Sequence, residues 1–313
     1  MLDGPYRAGV EDIPRLNQVF SESFTDRYRR DGMVGVRVPQ LNPAIWRYAI
    51  EDAGDGAMLW RDERGEIAAF NMVHASGREG WMGPLAVRTD RQSAGHGKEI
   101  VREGIEHLRR RGVDVIGLET MPRTMDNIGF YSGLGFIPSH LTITLTLDGV
   151  LSDKPAPLIS RLDTGGREEA LEACRALLDA VQPGYDYTRE IELTDQLSIG
   201  ETILLRERGR LAGFALCHTA PLVEGRVREE LRVLKLVLAD HGSLDAMTSA
   251  LCDLCRRGGA RRVAFRIQSE YGTAYQRLVA RGARVRWTDL RMSLEGSRER
   301  TPERGMVLSN WEI

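Results

Sequence analysis

Two spacings of apolar residues alternate along this chain. Ile100, Val101, Ile105 and Leu108 fall on the 3.6-residue period of a helix within "GHGKEIVREGIEHLRRRG". Just before it, "WMGPLAV" is an apolar run of strand length, and earlier still "AMLWRDE" and "RGEIAAFNMVH" read as the arms of a β-hairpin turned at an Arg-Gly pair. Beyond the helix come a strand in "VDVIGLET", a short helix, a glycine in "LGF" and a last strand in "SHLTITLTL". The first half therefore predicts the order strand, helices, hairpin, strand, glycine loop, helix, strand, helix, strand.

The pattern is then written a second time. "RGRLAGFALCH" repeats the Arg, Gly, Ala, Phe and His of "RGEIAAFNMVH" at a constant offset, and "TILLRE" leads it as "AMLWRDE" leads the other. An apolar strand over 231–239 follows, then a helix closing in "LCRRGG", a strand in "RRVAFRIQ", a short helix, the glycine of "RGA" and a strand in "VRWTDLRMSL". Between the copies, "DGVLSDKPAPLIS" has the polar, Pro- and Gly-bearing composition of a linker. Two similar α/β (α+β) domains are expected, 1–148 and 157–313, joined by 149–156. The arginines closing the two main helices complement the helix dipole at its C-terminus. Trp311 predicts a tail docked on the rest of the chain.

Composition narrows the function without choosing it. A chain of 313 residues with 42% hydrophobic and 28% charged residues suits two globular domains of about 150 residues each. The net charge of −2 argues against a dedicated nucleic-acid binder. No run is long and apolar enough to span a bilayer and "MLDGPYRAGVEDIPRL" has no signal-peptide pattern, so no membrane partner and a cytoplasmic location are expected. Four cysteines are too few for a disulfide framework. Cys252 and Cys255 form a CxxC inside a helical pattern, with no second ligand pair nearby, so all four, Cys174 and Cys217 included, read as buried thiols and no metal is expected.

The loop "QSAGHG" carries the chemistry. A helix mouth presents unpaired N–H groups and partial positive charge, and Gly95 and Gly97 let a phosphate approach the backbone. The loop is not a P-loop, because Lys98 is followed by Glu99 and no glycine stands at position 92. Nor is it a Rossmann loop, since it follows a hairpin rather than the first strand of a βαβ unit.

With this element order, the residues resemble the GNAT acetyltransferase superfamily. Its [RQ]xxGx[GA] motif is matched by Gln92, Gly95 and Gly97; its opening segment is approximated by Arg7, Gly9, Asp12 and Ile13; its closing segment by "LETMPRTMDNIGFYSGLGF". The resemblance implies two tandem GNAT-like domains, each with a mixed, mostly antiparallel central sheet flanked by helices. It also implies acetyl-CoA as acyl donor, its pantetheine paired with the strand at Leu85, Ala86 and Val87. Its pyrophosphate would rest on the amides of Gln92, Ser93, Ala94, Gly95, His96, Gly97 and Lys98, His96 contributing its N–H with the imidazole outward.

The resemblance further assigns Tyr131 as general acid to the departing thiolate, a role that a reference pKa near 10 permits. The competing reading of Tyr131 is a core tyrosine beside Phe130 and Phe136. Glu119 stands twelve residues earlier, the spacing of the base and acid in the ribosomal-protein alanine acetyltransferase branch, and is the expected base, with Glu22, Asp26 and Glu79 as alternatives. A glutamate faces about six pKa units, roughly 8 kcal/mol, when it deprotonates an ordinary lysine-like ammonium, so Glu119 needs a raised pKa or a relay. Where the family often has Asn contacting the amide arm of the cofactor, this chain has Thr124, whose hydroxyl can take the contact. Asn127 falls where the family prefers a small residue.

Aligning Gly135 with Gly282 carries these positions into the second half. Gly95 falls on Gly242, but Gln92 falls on Ala239, Gly97 on Leu244, Tyr131 on Leu278 and Glu119 on Arg266. Asp240 would set a carboxylate where the pyrophosphate sits. The second half is expected to have lost its cofactor site and to close the acceptor cleft, supply a homodimer surface or complete the sheet; Tyr271 or Tyr275 as a displaced acid is the lesser reading. The resulting expectation is an N-acetyltransferase acting on a small-molecule or peptide amine in a ternary complex. A non-catalytic acyl-CoA-binding module and an aminoacyl-tRNA-dependent transferase are the competitors. Arg27, Arg29, Arg30 and Arg37 leave open an acidic acceptor or a solvated helix face.

Overall fold

A computed structural model of the chain describes residues 2–153 and 155–312. Positions 1 and 313 of the expected domains and 154 of the linker lie outside them.

The first half begins with β1 (Asp3–Arg7), α1 (Ile13–Arg30) and α2 (Pro43–Ala53), continues with β2 (Ala57–Arg61), β3 (Ile67–Ser76), β4 (Glu79–Val87) and α3 (His96–Arg110), and ends with β5 (Val115–Thr120), α4 (Met125–Ser132) and β6 (Phe136–Asp148). Local chemistry explains the breaks. Asn42 caps α2, its side chain accepting from the Ala44 amide at 3.0 Å with proline at the first helical position. Gly65 turns the β2–β3 hairpin at φ +78°, a conformation that side chains with a Cβ avoid. In the second half the order is α5 (Thr164–Val181), α6 (Thr188–Gln196), β7 (Gly200–Glu207), β8 (Arg210–His218), β9 (Glu230–Leu238), α7 (Leu244–Arg257), β10 (Arg262–Gln268), α8 (Gly272–Ala280), β11 (Arg284–Leu294) and β12 (Met306–Ser309).

The two halves share one sheet. Its order is β1-β2-β3-β4-β5-β11-β6-β10-β9-β8-β7, with β12 paired to β9. Each half thus places its last long strand inside the other: β11 pairs antiparallel with β5, running from Leu290↔Thr120 to Ser293↔Gly117, while β6 pairs antiparallel with β10. Among the described residues, only β4–β5 and β9–β10 are parallel pairs. The alternation in "LTITLTL" suits β6 for this place, since strand side chains alternate between faces. Leu145 and Leu147 enter the core of the second half, and Thr142 and Thr146, on the opposite face, meet a polar seam. The same alternation on β11 sends Met292 and Leu294 into the core of the first half and leaves Asp289 and Arg291 on the seam.

A further core spans the boundary, with Ile45, Trp46 and Phe70 of the first half in one cluster with Cys174, Leu178 and Phe214 of the second. Trp311 belongs to it. The expected docking of the tail is found there: the Trp311 ring lies over the guanidinium of Arg291 at 3.5 Å, and its Nε1 donates to Glu79 at 2.7 Å. All four cysteines are buried free thiols.

Candidate active site

Strands β4 and β5 run together only as far as Trp81↔Gly117 and then part. Leu85, Ala86 and Val87 lie beyond the parting, after a bulge at Gly83-Pro84 that shifts the register against β3. Gly117 stands at the fork, where Trp311 fills the space a side chain would take; a Cβ there would lie 2.1 Å from the ring. The parted edge of β4 is a row of backbone groups open to an extended ligand.

The loop at the end of β4 continues that edge. Gln92 anchors it, its side-chain Nε2 donating to the Val87 carbonyl at 2.8 Å. Ser93 and Gly95 adopt φ of +66° and +88°, turning the chain so that Gly95 caps α3. The Gln92 and Lys98 amides are taken by Thr89 and Gly95 carbonyls at 3.4 and 3.0 Å. Among the described residues, no protein acceptor meets the amides of Ser93, Ala94, Gly95, His96 and Gly97. Five free N–H groups at a helix mouth fit a pyrophosphate. The imidazole of His96 lies 3.5 Å from Glu99 on the helix surface, and Gly97 leaves room for Phe130, whose ring would be 3.3 Å from a Cβ.

A cavity of about 520 Å³ runs along this edge, lined by Leu85, Ala86, Val87, Gln92, Ser93, Gly95, Gly97 and Lys98. A second, of about 470 Å³, lies between the halves under α1. Tyr131 lines both. Its ring packs on Phe130 and Phe136, so it is a packed tyrosine as well, and burial pushes its hydroxyl up to about 12. That hydroxyl stays protonated across the neutral range and is able to donate.

Two expected residues are placed otherwise. Thr124 is fully buried and its hydroxyl donates to Asp31 at 2.8 Å, so it ties α4 to the end of α1 rather than meeting a cofactor. Asn127, less than one turn further on, lines both cavities instead. Glu119 does lie in the wall of the second cavity, but it accepts from Arg266 and Thr142, both at 2.5 Å, with Arg291 at 3.4 Å. Burial alone would raise its pKa; the two guanidiniums and these hydrogen bonds hold it below the ordinary value. A carboxylate so stabilised is a weaker base, and Glu119 acts as counter-ion to Arg266 and Arg291. Glu22, Asp26 and Glu79 line neither cavity, and of the four arginines near α1 only Arg27 does, its charge met by Asp31 and Asp126.

The residue that sequence reasoning missed comes from the other half. Asp289, on β11, lines the second cavity with Trp287, whose Nε1 donates to it at 3.1 Å. Its side chain is 6% exposed, and Arg266 stands 3.1 Å from Oδ2. Burial foremost, with Glu312 and Glu119 nearby, raises its pKa, and Arg266 and Trp287 limit the rise to about 7. Leu222 and Val223 and the tail residues Trp311 and Glu312 complete the wall. No local signal marked Asp289, because its partners are brought together only by strand exchange.

In the second half the corresponding openings are closed. Strand β9 leaves β10 after Arg232↔Ala264, as β4 leaves β5, but β12 pairs with β9 from Lys235 to Leu238 and fills the gap. At the mouth of α7 the Asp240 carboxylate accepts from the Gly242 amide at 2.6 Å, and Arg277 donates to the His241 carbonyl at 2.6 Å. Tyr271 is buried and accepts from the Val307 amide of β12 at 3.3 Å; Tyr275 packs at the edge of the second-half core. Neither stands as a displaced acid at an open site.

Comparison with known proteins agrees with this geometry. Residues 15–136 match the acetyltransferase (GNAT) family. No curated protein matches the chain. Among solved structures it is similar to a putative acetyltransferase from Pyrococcus horikoshii (TM-score 0.69, 16% identity, covering 98% of this chain and 94% of that one). It is similar also to a tandem GNAT protein from the clavulanic acid biosynthesis pathway (TM-score 0.60, 12% identity, 96% and 100%). A third is Saccharomyces cerevisiae N-myristoyltransferase with bound myristoyl-CoA (TM-score 0.61, 10% identity, 96% and 80%). At these identities the likeness is one of fold.

Proposed function

The first half of this chain carries an acetyltransferase domain of the GNAT family within a tandem GNAT fold, and on that premise we propose an N-acyltransferase that moves an acetyl group from acetyl-CoA to a primary amine by direct attack in a ternary complex. In this reading residues 1–148 form the catalytic domain and 157–313 the supporting one. The observation that carries it is the position of Tyr131 on the wall common to both cavities.

Each residue then has a task. The free amides of Ser93 to Gly97 hold the pyrophosphate, and the parted edge of β4 at Leu85 to Val87 holds the pantetheine. When bound, the donor supplies a thioester carbonyl as electrophile. Tyr131 keeps its proton until the sulfur leaves and donates it there. Asn127 serves at the junction in the place expected of Thr124. The acceptor occupies the cavity between the halves, whose walls suit a small-molecule amine better than a folded protein. No nucleophile is required of the enzyme, as the buried cysteines face neither cavity.

Calorimetric titration of acetyl-CoA into wild type and Gly97→Trp tests this. One site per chain is expected, abolished in the variant, where the indole would take the space of Phe130 and the anion. Two sites, or one that survives the substitution, would reject the placement. Binding without turnover on any amine would leave an acyl-CoA-binding module in its place.

A further inference from the structure

The cavity between the halves has two chemically distinct parts. Most of its wall is apolar or aromatic: Phe20, Phe24, Leu41, Met82 and Val223 are examples. One end is acidic, where Asp289, Glu312 and Glu119 line the space. The charge there is unevenly balanced: the guanidinium of Arg266 lies within 3.1 Å of all three carboxylates, and while Glu119 and Glu312 each face a second arginine, Arg266 is, among the described residues, the one cation against Asp289. Arg291 turns toward Glu119 and Glu299, and Arg27 is held by Asp31 and Asp126. Arg232 faces Glu312 and Glu230 from β9. Asp289 Oδ2, buried in the wall, receives no hydrogen bond. A buried carboxylate oxygen with unused acceptor capacity beside an apolar cavity calls for a cationic donor.

We infer that the acceptor is a cationic primary amine on an apolar or aromatic body, and that Asp289, delivered by the second half, anchors its ammonium and takes its proton. This rests on the acyl-transfer reading above and specifies its substrate. One proton of the bound ammonium passes to Asp289 and on to solvent. The lone pair so freed forms the N–C bond as the C–S bond breaks, and the sulfur takes the Tyr131 proton. The second proton lost by the nitrogen restores the tyrosine, so each turnover yields one amide, one thiol and one proton. The raised pKa of Asp289 shortens the uphill transfer that Glu119 could not make. An acidic acceptor is disfavoured by the same carboxylates.

The test compares three probes of nearly equal size, 2-phenylethylamine, 2-phenylethanol and L-phenylalanine, titrated calorimetrically into the full chain with and without CoA. The amine is expected to bind about tenfold or more tightly than the alcohol, as a charge-assisted hydrogen bond allows, and more tightly than the amino acid. Asp289→Asn should reduce that preference to within about threefold while leaving acetyl-CoA affinity unchanged, which also certifies its fold; Glu312→Gln should move it in the same direction by less. Equal binding of amine and alcohol by wild type, preference for L-phenylalanine, or discrimination that persists in Asp289→Asn would overturn the inference. Failure of acetyl-CoA to bind wild type would reject acyl transfer and leave the amine preference to stand or fall by the probe series.

Discussion

The two halves end their fourth-strand equivalents in opposite ways. Beyond Trp81 the edge of β4 is open and leads to five unpaired amides at the mouth of α3. Beyond Arg232 the edge of β9 is taken by β12, and the mouth of α7 is capped by Asp240. The parting of parallel strands is common to both, so the parting alone does not make a ligand site. What decides is whether the chain satisfies its own backbone groups there. The second half does so with its last strand, and the residues that follow that strand carry Trp311 into the fork of the first half. Closing one slot thereby shapes the other.

The largest change should come from the acid. Tyr131→Phe is expected to lower turnover by about 10²- to 10⁴-fold with acetyl-CoA affinity unchanged, since only the hydroxyl is lost; a kcat within threefold of wild type would assign Tyr131 to packing alone. The aligned Leu278→Tyr, at a fully buried position, should add no activity and should destabilise by about 1–3 kcal/mol through overpacking, read in denaturant unfolding.

Next in size is the wedge. Trp311→Ala should destabilise by about 3–5 kcal/mol, because the ring fills the fork at Gly117 and ties Arg291 and Glu79 together. If unfolding shows less than about 1 kcal/mol, the tail does not brace the fork. Asp240→Ala sharpens the same contrast at smaller cost: about 1 kcal/mol for a lost cap, with acetyl-CoA stoichiometry still one per chain because β12 continues to fill the slot. A second binding site in that variant would show that the carboxylate, and not the strand, keeps the second half closed.

A last contrast, read as a pH dependence, concerns two buried glutamates on either side of the boundary. Lys235 stands 3.5 Å from Glu79 and 4.0 Å from Glu190. Burial raises both, but Lys235 and Arg291 bring Glu79 below its ordinary value, whereas Glu190 is faced by Asp52 and rises to about 8. Folded Glu190 therefore keeps a proton that the unfolded chain releases near 4.5, and its contribution to stability is full below that value and lost as pH rises through about 8. Thermal unfolding of Glu190→Gln should accordingly gain on wild type between about pH 5 and pH 9. A gap that stays constant or narrows over that range would mean that Glu190 is charged in the fold.

Much of the site was legible because it is local. The helix, its glycine mouth and the strand before it lie within one stretch from Glu79 to Arg110, so period and punctuation alone locate Gln92 to Lys98. The repeat marked two similar units, and the substitutions at Asp240 and Leu278 identified the closed one. Spacing placed Thr124 at the cofactor, whereas its hydroxyl is tied to Asp31 and Asn127 lines the cavities, since the direction each faces depends on how α4 packs against α1, which spacing does not contain. Glu119 looked like a base because its ion-pair partners, Arg266 and Arg291, lie more than a hundred residues away.

By itself, then, the sequence determined the elements, their order, the glycine loop at the mouth of α3 and the candidate acid, all consequences of short-range periodicity and backbone chemistry. Only the tertiary structure decided that β6 and β11 exchange places, that β12 and Trp311 close one fork and brace the other, and that Asp289 of the second half joins Glu119 in the wall of the cavity between the halves. Those outcomes depend on which distant strand edges pair and which carboxylates share an arginine. Such long-range pairings are selected by the packing of the whole sheet, and no window along the chain records them.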